Sequence, residues 1–172
     1  MKISDLDICK DIISFIGDIE LYPPQEDAIN AGLLETERNF VIATPTASGK
    51  TLLTELVMLK SILTASGKCL YVVPLNALAY EKYRSFKDKY SSTIRIGIST
   101  GDYESSSSYL AGNDIIILTL EKFDSLTRLK PSWMGRITVL VVDEVHVIGE
   151  DKRGPRLEGA IARFLSLSLI HI

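Results

Sequence analysis

The chain has 172 residues, 46% hydrophobic and 24% charged, the size and balance of one globular domain with a sizeable core. Its formal charge of −3 excludes a protein that coats nucleic acid by bulk electrostatics. No apolar run approaches the roughly 18 residues of a membrane span, and Met-Lys-Ile-Ser-Asp-Leu-Asp opens no signal peptide, so a cytoplasmic protein without a membrane partner is expected.

Ile8, Ile12, Ile13 and Ile16 recur at helical spacing, which predicts an amphipathic helix within residues 1–20. Leu21-Tyr22-Pro23-Pro24-Gln25 breaks that pattern and leads into a second helix over 26–34, with Pro24 suited to its first turn. Gln25 lies by this helix start. Its amide can pair bidentately with adenine N6 and N7, and the plain alternative is a surface glutamine.

Residues 40–53 read F-V-I-A-T-P-T-A-S-G-K-T-L-L. The apolar run 40–43 predicts a buried strand, small residues follow as a loop, and Gly49-Lys50-Thr51 opens a helix over 50–65. That order suits a triphosphate. Thr46, Ala47, Ser48 and Gly49 can turn backbone N–H groups toward phosphate oxygens, Lys50 can supply a cation at the β and γ phosphates, and Thr51 a hydroxyl on Mg2+. The usual pattern has a further glycine five residues before Gly49, where Thr44 stands.

Beyond the loop, strands are predicted over 69–73, 94–99, 115–118 and 138–142, and helices over 77–90, 121–129 and 155–165. The polar segment 101–113 contains Ser105-Ser106-Ser107-Ser108 as a surface loop. Strands alternating with helices imply an α/β fold, a parallel sheet covered by helices on both faces. Open parallel sheets bind ligands beyond the carboxyl ends of their strands. Pro74-Leu75-Asn76, Thr100-Gly101-Asp102, Thr119 and Asp143-Glu144-Val145-His146 all fall at such ends. Two basic clusters, Lys82, Arg84, Lys87, Lys89 and Lys122, Arg128, Lys130, Arg136, read as solvated helix faces, with a local basic groove as the alternative. Cys9 and Cys69 offer neither a disulfide framework nor, with the distant histidines, a structural zinc site.

Val139-Leu140-Val141-Val142 runs directly into Asp143-Glu144. A carboxylate at the mouth of a buried strand must be hydrated, paired or metal-bound. Beside a phosphate loop, Asp143 would hold the magnesium shell and Glu144 would orient and deprotonate the attacking water. The alternative is a helix-capping acid next to an exposed one, and His146 by itself reads as structural.

Together T-P-T-A-S-G-K-T, V-V-D-E-V-H and R-G-P-R-L-E resemble the first RecA-like domain of superfamily 2 DExH-box helicases. The nearest branch is the archaeal fork-repair one, related to the helicase domain of DNA polymerase theta. L-Y-P-P-Q resembles that family's Q motif, V-P-L-N-A-L-A-Y-E-K-Y its motif Ia and L-T-L-E-K-F-D-S-L its motif Ib. The resemblance implies a RecA-like phosphate-loop domain using ATP and Mg2+ to move 3′ to 5′ along single-stranded or forked DNA. It implies adenine contact by Gln25, DNA contact by Pro74, Asn76, Thr100, Gly101 and Thr119, and coupling of ATP site to DNA by His146. Asn76 stands where the family often has Arg, Leu120 where it often has an aromatic residue, and Ala47 where many loops have Gly. A Ser-Ala-Thr strand and a second RecA-like domain in cis are expected in such enzymes and have no counterpart in residues 1–166. Residues 167–172, Leu-Ser-Leu-Ile-His-Ile, fit a translated transposase end from library preparation, so the natural sequence is expected to diverge near Ser166; a short terminal strand is the competing reading. Alternatives for function are an RNA helicase of the same superfamily or a non-catalytic nucleotide-binding module.

Overall fold

Cys69-Leu70-Tyr71-Val72-Val73 is apolar throughout because both of its faces are covered, and it forms the inner part of a strand whose every residue is buried. The computed structural model describes residues 1–35, 38–45, 48–101 and 107–168. The chain divides into two units, Met1–Ser66 and Gly67–Ile172.

In the first unit, helix α1 (Lys10–Ile16) realises the isoleucine periodicity over a shorter span than 1–20, and α2 (Pro23–Asn30) starts on its two prolines. Helix α3 (Lys50–Ala65) buries Leu53, Leu56 and Leu59 at three-residue spacing, with Met58 beside them. The strand predicted over 40–43 does not form. Residues 38–45 carry no regular structure, and Val41 is 84% exposed. An apolar run becomes a strand only when a neighbour pairs its backbone, and among the described residues none pairs with this one.

The second unit holds a parallel sheet of β1 (Lys68–Val73), β2 (Ile96–Ser99), β3 (Ile115–Thr119) and β4 (Ile137–Val142), in the order β2-β3-β1-β4. Successive residues of β1 face opposite sides. Leu70 and Val72 join Ile116 and Leu118 beneath α6 (Leu120–Leu129) and α7 (Gly154–Ser168), where Phe123 and Phe164 pack with ring centres 6.1 Å apart. Tyr71 faces the other side and meets Phe86 of α4 (Asn76–Tyr90) edge-on at 5.4 Å. The predicted α/β sheet with helices on both faces is therefore present. Burial pushes the Cys69 thiol up to about 12, an inert core group.

Asp124 of α6 ties the two helices of one face together. Its buried carboxylate accepts from Arg163, and Arg128 and Arg156 lie 3.3 and 4.0 Å away. A short helix α5 (Ser107–Ala111) occupies the end of the segment predicted to be loop, and 3-10 turns span Ser132–Arg136 and Val145–Gly149. Strand β4 is one edge of the sheet, opposite β2. Among the described residues it pairs only with β1, and its residues 139–142 are half-buried where those of β1 are fully buried. No helix among the described residues is long and apolar enough to cross a membrane.

Candidate functional site

The residues predicted to form the phosphate loop lie in the first unit. Gly49 caps α3 in the left-handed region (φ +76°), and a Cβ there would fall 2.0 Å from Gln25 Nε2. Glycine is required at this position both for its backbone angle and for room. Lys50, the first residue of α3, folds its ammonium back to donate to the carbonyls of Thr44 (2.6 Å) and Pro45 (3.0 Å). An ammonium parked on loop carbonyls is one that a phosphate can recruit at the cost of two exchangeable bonds. The Thr44 and Ser48 hydroxyls share a 2.6 Å hydrogen bond across the loop, and Thr51 sits half-buried in the first turn of α3. Thr46 and Ala47 lie outside the described residues.

Gln25 is neither an exposed surface residue nor a free adenine reader in this state. It is 2% exposed, its Oε1 accepts from the Tyr22 N–H at 2.8 Å, and its Nε2 donates to the Gly49 carbonyl at 3.0 Å. The first bond caps α2. The second ties the glutamine to the loop itself.

In the second unit, Asp143 and Glu144 leave the carboxyl end of β4, and the Asp143 N–H extends the ladder to the Val72 carbonyl at 2.9 Å. Asp143 Oδ1 accepts from the Glu144 N–H at 3.0 Å. Its Oδ2 accepts from the Tyr71 hydroxyl at 2.8 Å and lies 3.8 Å from the Lys82 ammonium. Glu144 is left-handed (φ +54°), one of three non-glycine residues so placed among the described residues, and its Oε2 lies 3.1 Å from His146 Nδ1. The structure thus joins the predicted base and the predicted coupling residue in an exposed pair.

No group of three His, Cys, Asp or Glu side chains that could cage a metal exists among the described residues. A single carboxylate at a strand end still fits Mg2+, which commonly takes one or two protein carboxylates and completes its shell with water and substrate phosphate. Such an ion would be held at Asp143 and would supply charge neutralisation to phosphate oxygens.

Pro74, Asn76, Thr100, Gly101 and Thr119 line the same carboxyl edge of the sheet, after β1, β2 and β3. Gly101 is exposed and Pro74 and Asn76 are half-buried. Thr100 and Thr119 are buried, with hydroxyls that have no hydrogen-bond partner among the described residues, and Ser99 is another of the same kind. Ser99 was not among the predicted contacts, because at the end of an apolar run it reads as the strand's last residue. Leu120, in place of the family's frequent aromatic, is buried against Val147 and Leu157 as packing. Asp102 lies outside the described residues. Arg153 fixes the outer rim of this edge, paired to Glu150 at 2.7 Å and donating to the Pro74 carbonyl at 3.4 Å.

A family profile described as "DEAD/DEAH box helicase" matches residues 22–169. The chain is 46% identical over 173 aligned residues to the "ATP-dependent DNA helicase Hel308" of Pyrococcus horikoshii, covering 99% of this chain and 24% of that protein. It is 48% identical to the Hel308 of Caldivirga maquilingensis over 92% of this chain and 21% of that one. The chain therefore spans about a quarter of the length of the curated relatives it matches. Among solved structures it resembles the "DUF1998 helicase MrfA bound to DNA and AMPPNP", with a TM-score of 0.65 and 27% identity, over 83% of this chain and 22% of that one. The four-stranded parallel sheet and this likeness together make the fold RecA-like.

Proposed function

The chain belongs to the DEAD/DEAH box helicase family, and from that membership we propose that it is the ATP-binding part of an ATP-dependent 3′–5′ DNA helicase acting in replication-fork repair. The observation that carries the reading is identity of 46% across nearly the whole chain to a protein named as a DNA helicase, with Lys50, Thr51, Asp143 and Glu144 all present. In this reading Ser48, Gly49 and Lys50 take the phosphates, together with Thr46 and Ala47, and Gln25 reads adenine by exchanging its bond to the loop. Thr51 and Asp143 hold Mg2+, Glu144 activates water, and His146 couples Glu144 to the DNA-bound state. Single-stranded or forked DNA runs along Pro74, Asn76, Thr100, Gly101 and Thr119, held through backbone phosphates. The protein works in the cytoplasm.

A second RecA-like domain in cis is proposed to supply the arginines that stabilise the transferring phosphoryl group, a contribution worth about 10³–10⁵ in rate. The chain by itself should therefore bind Mg-ATP weakly and show negligible DNA-stimulated turnover. Steady-state ATPase assays of the 172-residue chain and of the full-length protein, with and without single-stranded DNA, test this. Strong DNA-stimulated turnover by the chain alone would refute the two-domain requirement. Unwinding of matched duplexes by the full-length protein tests the nucleic acid, and preference for RNA would replace the DNA reading with that of an RNA helicase.

A further inference from the structure

Lys82 belongs to a basic run that the sequence marks as a solvated helix face. Its side chain is only 16% exposed, and its ammonium lies 3.8 Å from Asp143 Oδ2. The same ammonium stands 5.8 Å from the centre of the Tyr71 ring, whose hydroxyl donates to that carboxylate oxygen at 2.8 Å. Tyr71 is 1% exposed and held edge-on by Phe86, so packing fixes the direction of its phenol. Helix α4 thus delivers a cation, and strand β1 a donor, to the one carboxylate proposed to bind metal.

A half-buried carboxylate needs a counter-charge. Lys82 supplies it when no metal is present. A divalent cation would supply it otherwise, and two cations on one carboxylate repel each other at this range. The geometry points to Lys82 as an intramolecular stand-in for the divalent cation, displaced from Asp143 when metal arrives with nucleotide. Tyr71 is then a positioning residue that keeps the carboxylate aimed in both states. This rests on the nucleotide reading above and adds to it a built-in competitor, so that Asp143 rewards metal-bound nucleotide over metal-free nucleotide less than a bare carboxylate would.

The test measures the dissociation constant of the fluorescent analogue MANT-ATP in EDTA and in MgCl2, and takes the ratio of the two. Lys82→Gln should raise that ratio about two- to fivefold, the range for an ion pair of this kind, while Lys82→Arg should keep it at the unsubstituted value. Tyr71→Phe should lower the ratio, with the larger change in MgCl2. A side chain that merely supports the fold would move both constants together and leave the ratio alone. An unchanged or lowered ratio in Lys82→Gln overturns the stand-in role by itself. Absence of MANT-ATP binding by the unsubstituted chain in either solution overturns the nucleotide reading and this role with it.

Discussion

Gly49→Ala tests whether Gln25 and the phosphate loop form one unit. Holding alanine at φ +76° costs about 1–2 kcal/mol. The added Cβ would lie 2.0 Å from Gln25 Nε2, and because Gln25 is 2% exposed and capped onto Tyr22, it can yield only by giving up its 3.0 Å bond to the Gly49 carbonyl. That bond contributes about 0.5–1.5 kcal/mol. The total is about 1.5–3.5 kcal/mol, a large share of the roughly 5–15 kcal/mol that stabilises a typical domain. Urea denaturation followed by far-ultraviolet circular dichroism measures it. In a Gln25→Ala background the contact no longer exists, and Gly49→Ala should then cost only the conformational part, about 1–2 kcal/mol. Equal costs in the two backgrounds would refute the coupling.

Lys50→Ala should weaken MANT-ATP binding by about 1.5–3 kcal/mol, tenfold or more, because it removes the charged donor now parked on the Thr44 and Pro45 carbonyls; unchanged affinity in a folded variant would place the nucleotide elsewhere. Glu144→Gln should keep that affinity while lowering hydrolysis by the full-length protein about 10²–10⁴-fold, and a binding loss as large as that of Lys50→Ala would contradict the division of roles. Burial alone would raise the Asp114 carboxyl, but hydrogen bonds from the Arg95 side chain and backbone more than offset it and hold its pKa below the ordinary value. A depressed carboxylate stabilises above its unfolded pKa of about 4 and loses that contribution as pH falls through the folded value. With Arg95 70% exposed the contribution should stay under about 1 kcal/mol. The urea midpoint of Asp114→Asn should therefore fall less than that of the unsubstituted chain between neutral pH and pH 3, and equal acid sensitivity would count against the pair.

The sheet of the second unit was legible because unbroken apolar runs such as 115–118 can be satisfied only by strands covered on both faces. The run 40–43 looked the same on paper and is not a strand, since a strand depends on a neighbour that local sequence does not encode. The positions of Lys50, Asp143 and Glu144 at the ends of elements were legible, and the structure puts them at the start of α3 and just after β4. Their partners were not. Tyr71 reads as one more core aromatic and Lys82 as one more surface lysine, and only β1 lying beside β4, with α4 packed over it, brings both to Asp143. Gln25 was found as a motif residue, but its burial against the loop depends on the turn at Gly49, which the motif does not specify.

The left-handed Glu144 has a consequence for anyone seeking a hardier version of this chain. An L-residue at φ +54° carries conformational cost that glycine escapes and asparagine carries more lightly. At an exposed turn only the solvent-exposed contact with His146 opposes the exchange, so a screen that rewards heat resistance or expression alone will favour Glu144→Gly. The same exchange deletes the carboxylate proposed to activate water. Selection for robustness would then enrich inactive protein, and a useful library must hold position 144 fixed and seek its gains in the core.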